Sequence, residues 1–174
     1  MNVGPNSCAH SANSAFVSAL NLRSLRLTKS HLTRPVGENQ TSLKLPYPMV
    51  LAWDLDSKVT QITCHEKVHD SLKRIFENTL SHYGIDTIKE LRLDRFGGCL
   101  NVRKMRGGSS WSIHSWGAAI DIDPDRNQLK WGRDRAFLAR PEYEPFWKIV
   151  ESEGWTSLGK ARNYDWMHLQ ACSL

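Results

Sequence analysis

Two short stretches of the chain contain side chains that could bind one metal ion together. In the first, His114 and Asp121 stand seven residues apart, with Gly117 between them. A histidine on a turn, a glycine where the backbone can change direction, and an acid on a strand could point two ligands at one ion. In the second stretch, His168 follows Asp165 by three residues. We expect the two stretches to share a site.

The ligand types in these stretches suit zinc. A catalytic zinc site usually has three protein ligands and leaves a fourth position for water. His114, Asp121 and His168 would supply the three ligands. Asp165 would then be the general base, provided that it lies in the turn before the strand of His168, because residues three apart on a regular strand face opposite sides. Taken singly, each residue also has an ordinary structural role, such as ending a strand or capping a turn.

The reaction expected of such a site is hydrolysis of an amide. Zinc would lower the pKa of a water molecule, Asp165 would accept the proton, and the hydroxide would attack a carbonyl group polarised by the metal. A cation near the developing oxyanion, or near a substrate carboxylate, would complete the site. Arg103 is the first candidate for this cation and Arg106 is the second.

A second histidine pair offers an alternative metal site. The segment His65-Glu66-Lys67-Val68-His69 matches the HExxH pattern, in which two histidines on a helix bind zinc and the glutamate is the base. Charged residues flank these histidines, whereas the pattern usually lies on a buried helix. Glu66 also completes a predicted capping box that begins at Thr63. We interpret the segment as an exposed first helical turn and keep zinc at the two histidines as the alternative.

The elements that must position these residues are strands and helices without regular alternation, which favours an α+β fold. In the central strand, Ile120 and Ile122 form an apolar face and the acids lie on the other face. Strands are predicted at 49–53, 88–96, 99–102, 119–123 and 166–171, and helices at 63–84, 133–139 and 142–153.

Length and composition limit the class of protein. The chain has 174 residues, of which 40% are hydrophobic and 24% are charged, as in a soluble globular domain. No apolar run approaches the roughly 18 residues of a membrane span. Residues 1–48 carry five basic residues and one acidic residue, whereas residues 49–174 carry 18 and 17. The body therefore lacks the dense basic face of a nucleic-acid-binding domain, and we expect no nucleic-acid partner.

The cysteines and the N-terminal residues bear on the compartment. The four cysteines form no Cys-x-x-Cys pair, and the first 30 residues contain no compact apolar run typical of a secretory signal. Reduced thiols in a protein made in the cytoplasm are therefore expected. Residues 1–45 form a basic Ser/Asn-rich extension, which is a disordered tail, a loosely docked arm or a segment similar to a transit peptide. The folded domain is predicted to span 46–174, beginning at Pro46-Tyr47-Pro48.

Both metal-ligand stretches also carry a family resemblance. The segment from Ser112 to Asp121 resembles the Ser-x-His-x-x-Gly-x-Ala-x-Asp signature of the zinc D-alanyl-D-alanine carboxypeptidase family. Asp165-Trp166-Met167-His168 resembles the second motif of that family, an acid followed three residues later by histidine. Aspartate in place of glutamate is similar to the branch of L-alanyl-D-glutamate endopeptidases, many of them bacteriophage endolysins. Leu169-Gln170 stands where the family commonly has Phe-Glu.

The resemblance covers residues 49–172 and implies a hedgehog/D,D-peptidase-like α+β domain with a small antiparallel sheet and flanking helices. It implies that one zinc ion is bound by His114, Asp121 and His168. It assigns the base to Asp165 and the activating arginine to Arg103. We also expect Arg106, Ser112 and Trp166 to contact the substrate.

The function expected on these grounds is cleavage of peptide bonds in peptidoglycan stem peptides by a monomeric zinc peptidase of the L-alanyl-D-glutamate endopeptidase or D,D-carboxypeptidase type. We expect a phage or prophage lysin that is made in the bacterial cytoplasm without a signal peptide and acts at the cell wall. The alternative is a zinc-containing module of the same fold that binds a partner without catalysis.

Overall fold

The computed structural model describes residues 39–171, which form a single domain around one six-stranded sheet. The strands lie in the order β2-β1-β3-β4-β6-β5. Neighbouring strands are antiparallel except for β1 and β3, which are parallel. The strands are β1 (Gln40–Leu51), β2 (Asp54–His65), β3 (Arg95–Gly98), β4 (Ala119–Ile122), β5 (Thr156–Ser157) and β6 (His168–Gln170), and the α-helices are α1 (His69–Glu90), α2 (Glu144–Ser152) and α3 (Leu158–Arg162).

The predicted α+β class is confirmed, because helices and strands follow one another irregularly around one sheet. The sheet is mixed, however, rather than antiparallel throughout. The parallel pair arises because α1 packs on β1 and carries the chain from β2 to the other side of β1, where β3 joins the sheet. A parallel pair requires a crossover connection of this kind. None of the helices within residues 39–171 is long and apolar enough to cross a membrane.

The chain enters the sheet through a long hairpin of β1 and β2. Alternate residues of β1 are buried, so that one face of the strand contributes to the core. Pro46 and Pro48 occupy exposed positions that alternate with the buried residues of β1. The pairing of β1 with β2 shifts register between Lys44 and Met49. Proline lacks the N–H that a regular ladder needs, so it is tolerated at such an irregularity.

Strand β1 therefore begins ahead of Pro46, where the sequence predicted the folded domain to start. The two prolines interrupt pairing inside a strand and do not precede it. Residues 1–38 lie outside the described residues, so the separate character of the N-terminal extension stays a prediction. Two of the cysteines, Cys64 and Cys99, are buried free thiols. Cys8 and Cys172 lie outside the described residues.

The long helix α1 differs from its prediction at both ends. Thr63, predicted as its cap, lies in β2, and the helix begins at His69 after a 3₁₀ turn at Glu66–Val68. At Gly84 the backbone leaves helical geometry, with φ +70°, and helix resumes as far as Glu90. The predicted helix end is therefore a kink. The predicted strand 88–96 is reduced to β3 because its first residues belong to α1.

The second half of the domain supplies the strands nearest to the candidate site. The predicted strands at 119–123 and 166–171 appear as β4 and β6, each slightly shorter. The predicted strand 99–102 is irregular loop, and within 133–139 only a 3₁₀ turn at Phe137–Ala139 forms. Helix α2 lies inside the predicted range 142–153, with Phe146 and Trp147 buried.

Helix α3 and the residues before β6 pack without any space to spare. Trp166 is 3% exposed, and its indole ring lies against Gly159 of α3 and edge-on to Trp147. A Cβ at Gly159 would overlap the indole ring. Because Gly159 has no side chain, the ring of Trp166 can pack directly on α3. Trp166 follows Asp165 in the chain and precedes the strand of His168.

We predict that Gly159→Ala destabilises the protein. At an unconstrained helix position this change would stabilise by up to about 1 kcal/mol, but the overlap with Trp166 should reverse the sign and cost roughly 1–3 kcal/mol. The measurement is the free energy of unfolding in urea. Gly108→Ala is the control, because a Cβ there would make only ordinary contacts with Met105. Equal stability of Gly159→Ala and the wild type would contradict the packing described.

Candidate metal centre

Two antiparallel strands bring the carboxylate and one of the histidines together. Asp121 of β4 is the register partner of His168 of β6. Residues directly opposite in an antiparallel pair project to the same face of the sheet. The nearest approach is 3.0 Å, between Asp121 Oδ1 and His168 Nδ1. The pairing of β4 with β6 therefore sets this half of the site.

The other histidine comes from the turn before β4. His114 lies in a 3₁₀ turn, Ile113–Trp116, which ends at Gly117 in the left-handed conformation, φ +69°. A Cβ at Gly117 would also approach the backbone of Cys64 to 3.1 Å. This position therefore requires glycine for its conformation and for its close packing. The turn places His114 Nε2 3.2 Å from Asp121 Oδ1 and 3.1 Å from His168 Nδ1.

The hydrogen bonds on the far sides of the two rings determine what the near sides present. His114 Nδ1 lies 2.8 Å from the carbonyl oxygen of Cys99, which can only accept, so this nitrogen carries the proton. His168 Nε2 lies 3.1 Å from Gln170 Oε1, which also accepts. In the neutral tautomers that result, three lone pairs face one another. Such a cluster is stable only if a cation, either a metal ion or a proton, lies among them.

The spacing of the three atoms suits zinc. Zinc binds nitrogen and oxygen at about 2.0–2.1 Å in tetrahedral geometry, which places ligand atoms about 3.3 Å apart. The three separations here, 3.0–3.2 Å, are close to that value. Within residues 39–171, His114, Asp121 and His168 are the group of metal-binding side chains that lies close enough together to hold an ion. The residues present therefore fit a metal ion of this kind.

The carboxylate in this group is strongly biased towards its charged form. Burial opposes ionisation of Asp121, but hydrogen bonds to His114 and His168 outweigh it and hold the pKa of Asp121 well below its usual range. Burial likewise works to lower the pKa of His168, and the neighbouring Asp121 raises it overall. Without a metal ion the site thus favours a proton on His168, which a metal ion would have to displace.

A glycine on the neighbouring strand allows Asp121 to adopt this position. Gly97 of β3 lies beside β4, and a Cβ there would come within 2.9 Å of the Cβ of Asp121. Gly97 and Gly98 both belong to β3. Asp123, two residues after Asp121, is not part of the site. It is fully buried and bound to Arg92 and Arg126.

Asp165 lies beside the metal-binding group in a strained backbone conformation. It follows the turn at Asn163 and has φ +55°, a conformation that L-residues rarely adopt. Its amide donates to Leu129 O, and its carbonyl accepts from the amide of His168. The side chain is 8% exposed, and among the described residues no donor reaches Oδ1. Burial raises the pKa of Asp165 to about 6.

A pocket of about 570 Å³ opens over these side chains. Its wall combines the three metal-binding residues and Asp165 with three cationic side chains and several apolar ones. The lining includes the predicted residues Arg103, Arg106 and Ser112, together with Met105, Ile113, Leu129, Lys130, Leu158, Tyr164, Met167 and Gln170.

Comparison with known proteins agrees with the chemistry of this pocket. Residues 106–171 match the sequence model of the D-alanyl-D-alanine carboxypeptidase family. This part of the chain is similar to that family, as its two motifs predicted. It contains all three candidate metal ligands and Asp165, whereas Arg103 lies just before it. Neither the curated proteins nor the solved structures include a match to the chain.

Arg103 lies before residue 106, where the family match begins. Its backbone is nevertheless held by Ser115, a residue of the first motif. The hydroxyl of Ser115 accepts from the amide of Arg103 at 3.0 Å and donates to its carbonyl oxygen at 2.8 Å. The guanidinium donates to Lys104 O, and its charge slightly opposes the raised pKa of Asp165. Arg103 therefore acts electrostatically on Asp165, while its role in activation stays a prediction.

The structure separates Trp166, which was expected to contact the substrate, from the pocket. Trp166 is in the core and does not line the pocket, because its ring packs on α3.

The HExxH residues do not share a helix face. His65 ends β2 and its Nδ1 accepts from Lys67 N, whereas His69 begins α1 beside Asp70. The HExxH pattern is therefore split across a strand end and a helix start.

Sequence reasoning also missed three residues that line the pocket, Lys130, Tyr164 and Gln170. Gln170 could have been found, because it lies two residues after His168 and therefore on the same face of the predicted strand. Lys130 could not have been found, because it lies in a loop without a sequence pattern. It reaches the pocket only through the tertiary fold.

We predict that Asp165→Asn stabilises the metal-free protein at pH 7.5. The pKa of Asp165 is about 6 when folded and 3.8 ordinarily, so the folded state loses stability as pH rises from about 4 to about 6. The loss corresponds to roughly 2–3 kcal/mol above pH 6. Asparagine removes the charge and tolerates positive φ. Urea unfolding in a chelator should show the gain at pH 7.5 and little gain at pH 4.

The control is Asp86→Asn, since Asp86 is exposed on α1 and its replacement should change stability by less than about 0.5 kcal/mol. A gain for Asp165→Asn that is the same at both pH values would show that burial of the charge is not its cause.

Proposed function

We propose that the protein is a zinc metallopeptidase that hydrolyses peptide bonds in peptidoglycan stem peptides. The observation that carries this proposal is the convergence of His114 Nε2, Asp121 Oδ1 and His168 Nδ1 within 3.2 Å of one another. These three atoms would hold one zinc ion. When bound, zinc supplies positive charge that makes a water molecule more acidic and polarises the carbonyl group to be cleaved.

Asp165 is the residue best suited to move the proton. It borders the same pocket, and Oδ1 is not already committed to a hydrogen bond with a described residue. A pKa near neutrality suits a group that must accept a proton and then release it. The carboxylate would take a proton from water as the water oxygen bonds to the carbonyl carbon. The C–N bond then breaks, and the proton passes to the leaving amine.

The cations of the pocket would orient the substrate. Arg103, Arg106 and Lys130 line the same pocket as Asp165. Stem peptides carry free carboxylates, which guanidinium and ammonium groups bind through charge-assisted hydrogen bonds. Arg103, whose charge already acts on Asp165, is the one proposed to stabilise the oxyanion. Ser112 would contact the peptide from the pocket wall, but Trp166 would support Asp165 from the core.

Aspartate at position 165 resembles the motif of the L-alanyl-D-glutamate endopeptidase branch. We therefore propose that the bond cleaved is the L-alanyl-D-glutamate linkage, with D,D-carboxypeptidase cleavage as the second possibility. We further propose that the protein is a phage or prophage lysin, monomeric, made in the bacterial cytoplasm and active at the cell wall. The non-catalytic zinc module is the rival. A buried, strained Asp165 without a structural partner for Oδ1 favours the enzyme, because a binding module would have no use for it.

We predict that the purified protein retains one zinc ion per chain and that His114→Ala abolishes this retention. Loss of one of three ligands removes the chelate, whereas replacing both His65 and His69 with Gln should leave the zinc content unchanged. The measurement is metal content after dialysis. His82→Ala, an exposed histidine of α1, is the control. Zinc lost from the double Gln variant but kept by His114→Ala would move the site to the HExxH residues.

We predict that Asp165→Asn keeps zinc and lowers hydrolysis of purified peptidoglycan by at least about 100-fold, because the general base is lost. Mass spectrometry of the fragments released from defined muropeptides measures the rate and identifies the bond. Asp86→Asn should cleave as the wild type does. Full activity in Asp165→Asn would refute the assigned base. A zinc-loaded wild type that releases no fragment would support the binding module instead.

A further inference from the structure

The second neighbour of His168 along β6 has a direct contact with its ring. Gln170 is 6% exposed, and its Oε1 lies 3.1 Å from His168 Nε2. Residues two apart on a strand project to the same face, so this contact follows from the strand itself. The amide also borders the pocket. Gln170 is therefore in the layer immediately behind a metal-binding side chain.

The strand holds the backbone of Gln170 firmly. Strand β6 lies between β4 and β5, and Gln170 is paired with Ala119 on one side and with Thr156 on the other. Both neighbours belong to the sheet that positions Asp121. The distance between Gln170 and the metal-binding group is thus set by main-chain ladders and does not depend on a loop.

The contact determines which nitrogen of His168 faces the ion. Nδ1 lies 3.0 Å from Asp121 Oδ1 and 3.1 Å from His114 Nε2, so it can bind a metal ion only if it carries a lone pair. The proton of the neutral ring must then be on Nε2, which needs an acceptor. Gln170 Oε1 is that acceptor. Unlike a carboxylate, the amide cannot take the proton away from the ring.

The two histidines differ in how this is achieved. The acceptor for His114 is the backbone carbonyl of Cys99, which no side-chain substitution removes. The acceptor for His168 is a side chain. Gln170 is therefore the position at which the orientation of a proposed ligand can be changed while every ligand is left in place.

We propose that Gln170 is a positioning residue of the metal centre, which fixes the ring of His168 so that Nδ1, and not Nε2, binds the ion. This inference rests on the proposed zinc site. Outer-shell partners of metal-bound histidines typically contribute 10- to 100-fold to metal affinity. Gln170 contributes in the same way without belonging to the ligand set.

The test compares Gln170→Met, which fills similar space without an amide oxygen, with Gln170→Glu, which retains an acceptor. Zinc affinity is measured by competition with a chelator on the full chain. We expect the zinc dissociation constant of Gln170→Met to rise about 10- to 100-fold and that of Gln170→Glu to stay within a few-fold of the wild type. Gln61→Met, an exposed residue of β2, is the matched control.

The second readout is the ¹⁵N chemical shifts of His168 in the zinc-loaded protein, which distinguish a metal-bound Nδ1 from a metal-bound Nε2. The wild type and Gln170→Glu should show zinc on Nδ1, whereas Gln170→Met should show a mixture or weakened binding. If Gln170→Met does not fold, Gln170→Glu still decides, because a loss of affinity in the variant that retains the acceptor would overturn the inference.

Two further outcomes separate this inference from the proposed function. A wild type that binds zinc through Nε2 of His168, or a Gln170→Met variant with unchanged affinity and shifts, would overturn the role of Gln170 and leave the zinc centre standing. A wild type that binds no zinc would overturn both.

Discussion

The site depends on one electrostatic constraint. Lone pairs on two imidazole nitrogens and one carboxylate oxygen point towards one another in a buried space. His114, Asp121 and His168 could each find a hydrogen-bond donor elsewhere if the chain allowed it. The fold prevents this by placing an acceptor behind each ring, Cys99 O for one and Gln170 Oε1 for the other. Each neutral imidazole then donates away from the site and presents its bare nitrogen inward. A cation, either a proton or a metal ion, stabilises the three groups in this arrangement.

Asp165 shows the cost of the same organisation. Its backbone has a positive φ, and its buried carboxylate has no donor at Oδ1 among the described residues. Both features are unfavourable for folding. The residues that follow Asp165 hold it in place: Trp166 is packed against Gly159, and β6 begins at His168. The core thus offsets a local strain of a kind that is often found at functional sites. Stability and proposed activity are opposed at this residue, which is expected when a group must stay ready to accept a proton.

The sequence predicted which candidate ligands come together better than it predicted the elements around them. His114 and Asp121 lie within one short motif, and His168 lies within a second, so local spacing carries the chemistry. The resemblance to the carboxypeptidase family is confirmed over residues 106–171, which contain those motifs. The hairpin of β1 and β2 was largely missed because Pro46 and Pro48 resemble a boundary, although one strand continues through them. Thr63 and Gly84 resemble helix ends, yet pairing with β1 and packing after the kink override both local signals.

The contacts that assemble the rest of the pocket depend on the tertiary fold and not on a local pattern. Arg103 reaches the pocket because Ser115, a residue of the histidine turn, holds both the amide and the carbonyl of Arg103. The turn that aims His114 therefore also anchors the loop that carries a cation. Lys130 comes from a different loop and meets them only when the domain is assembled. The candidate ligands come from two short motifs, whereas the cations around them come from separate loops. Substrate selectivity is thus expected to vary with the loops, while the metal centre depends on the sheet.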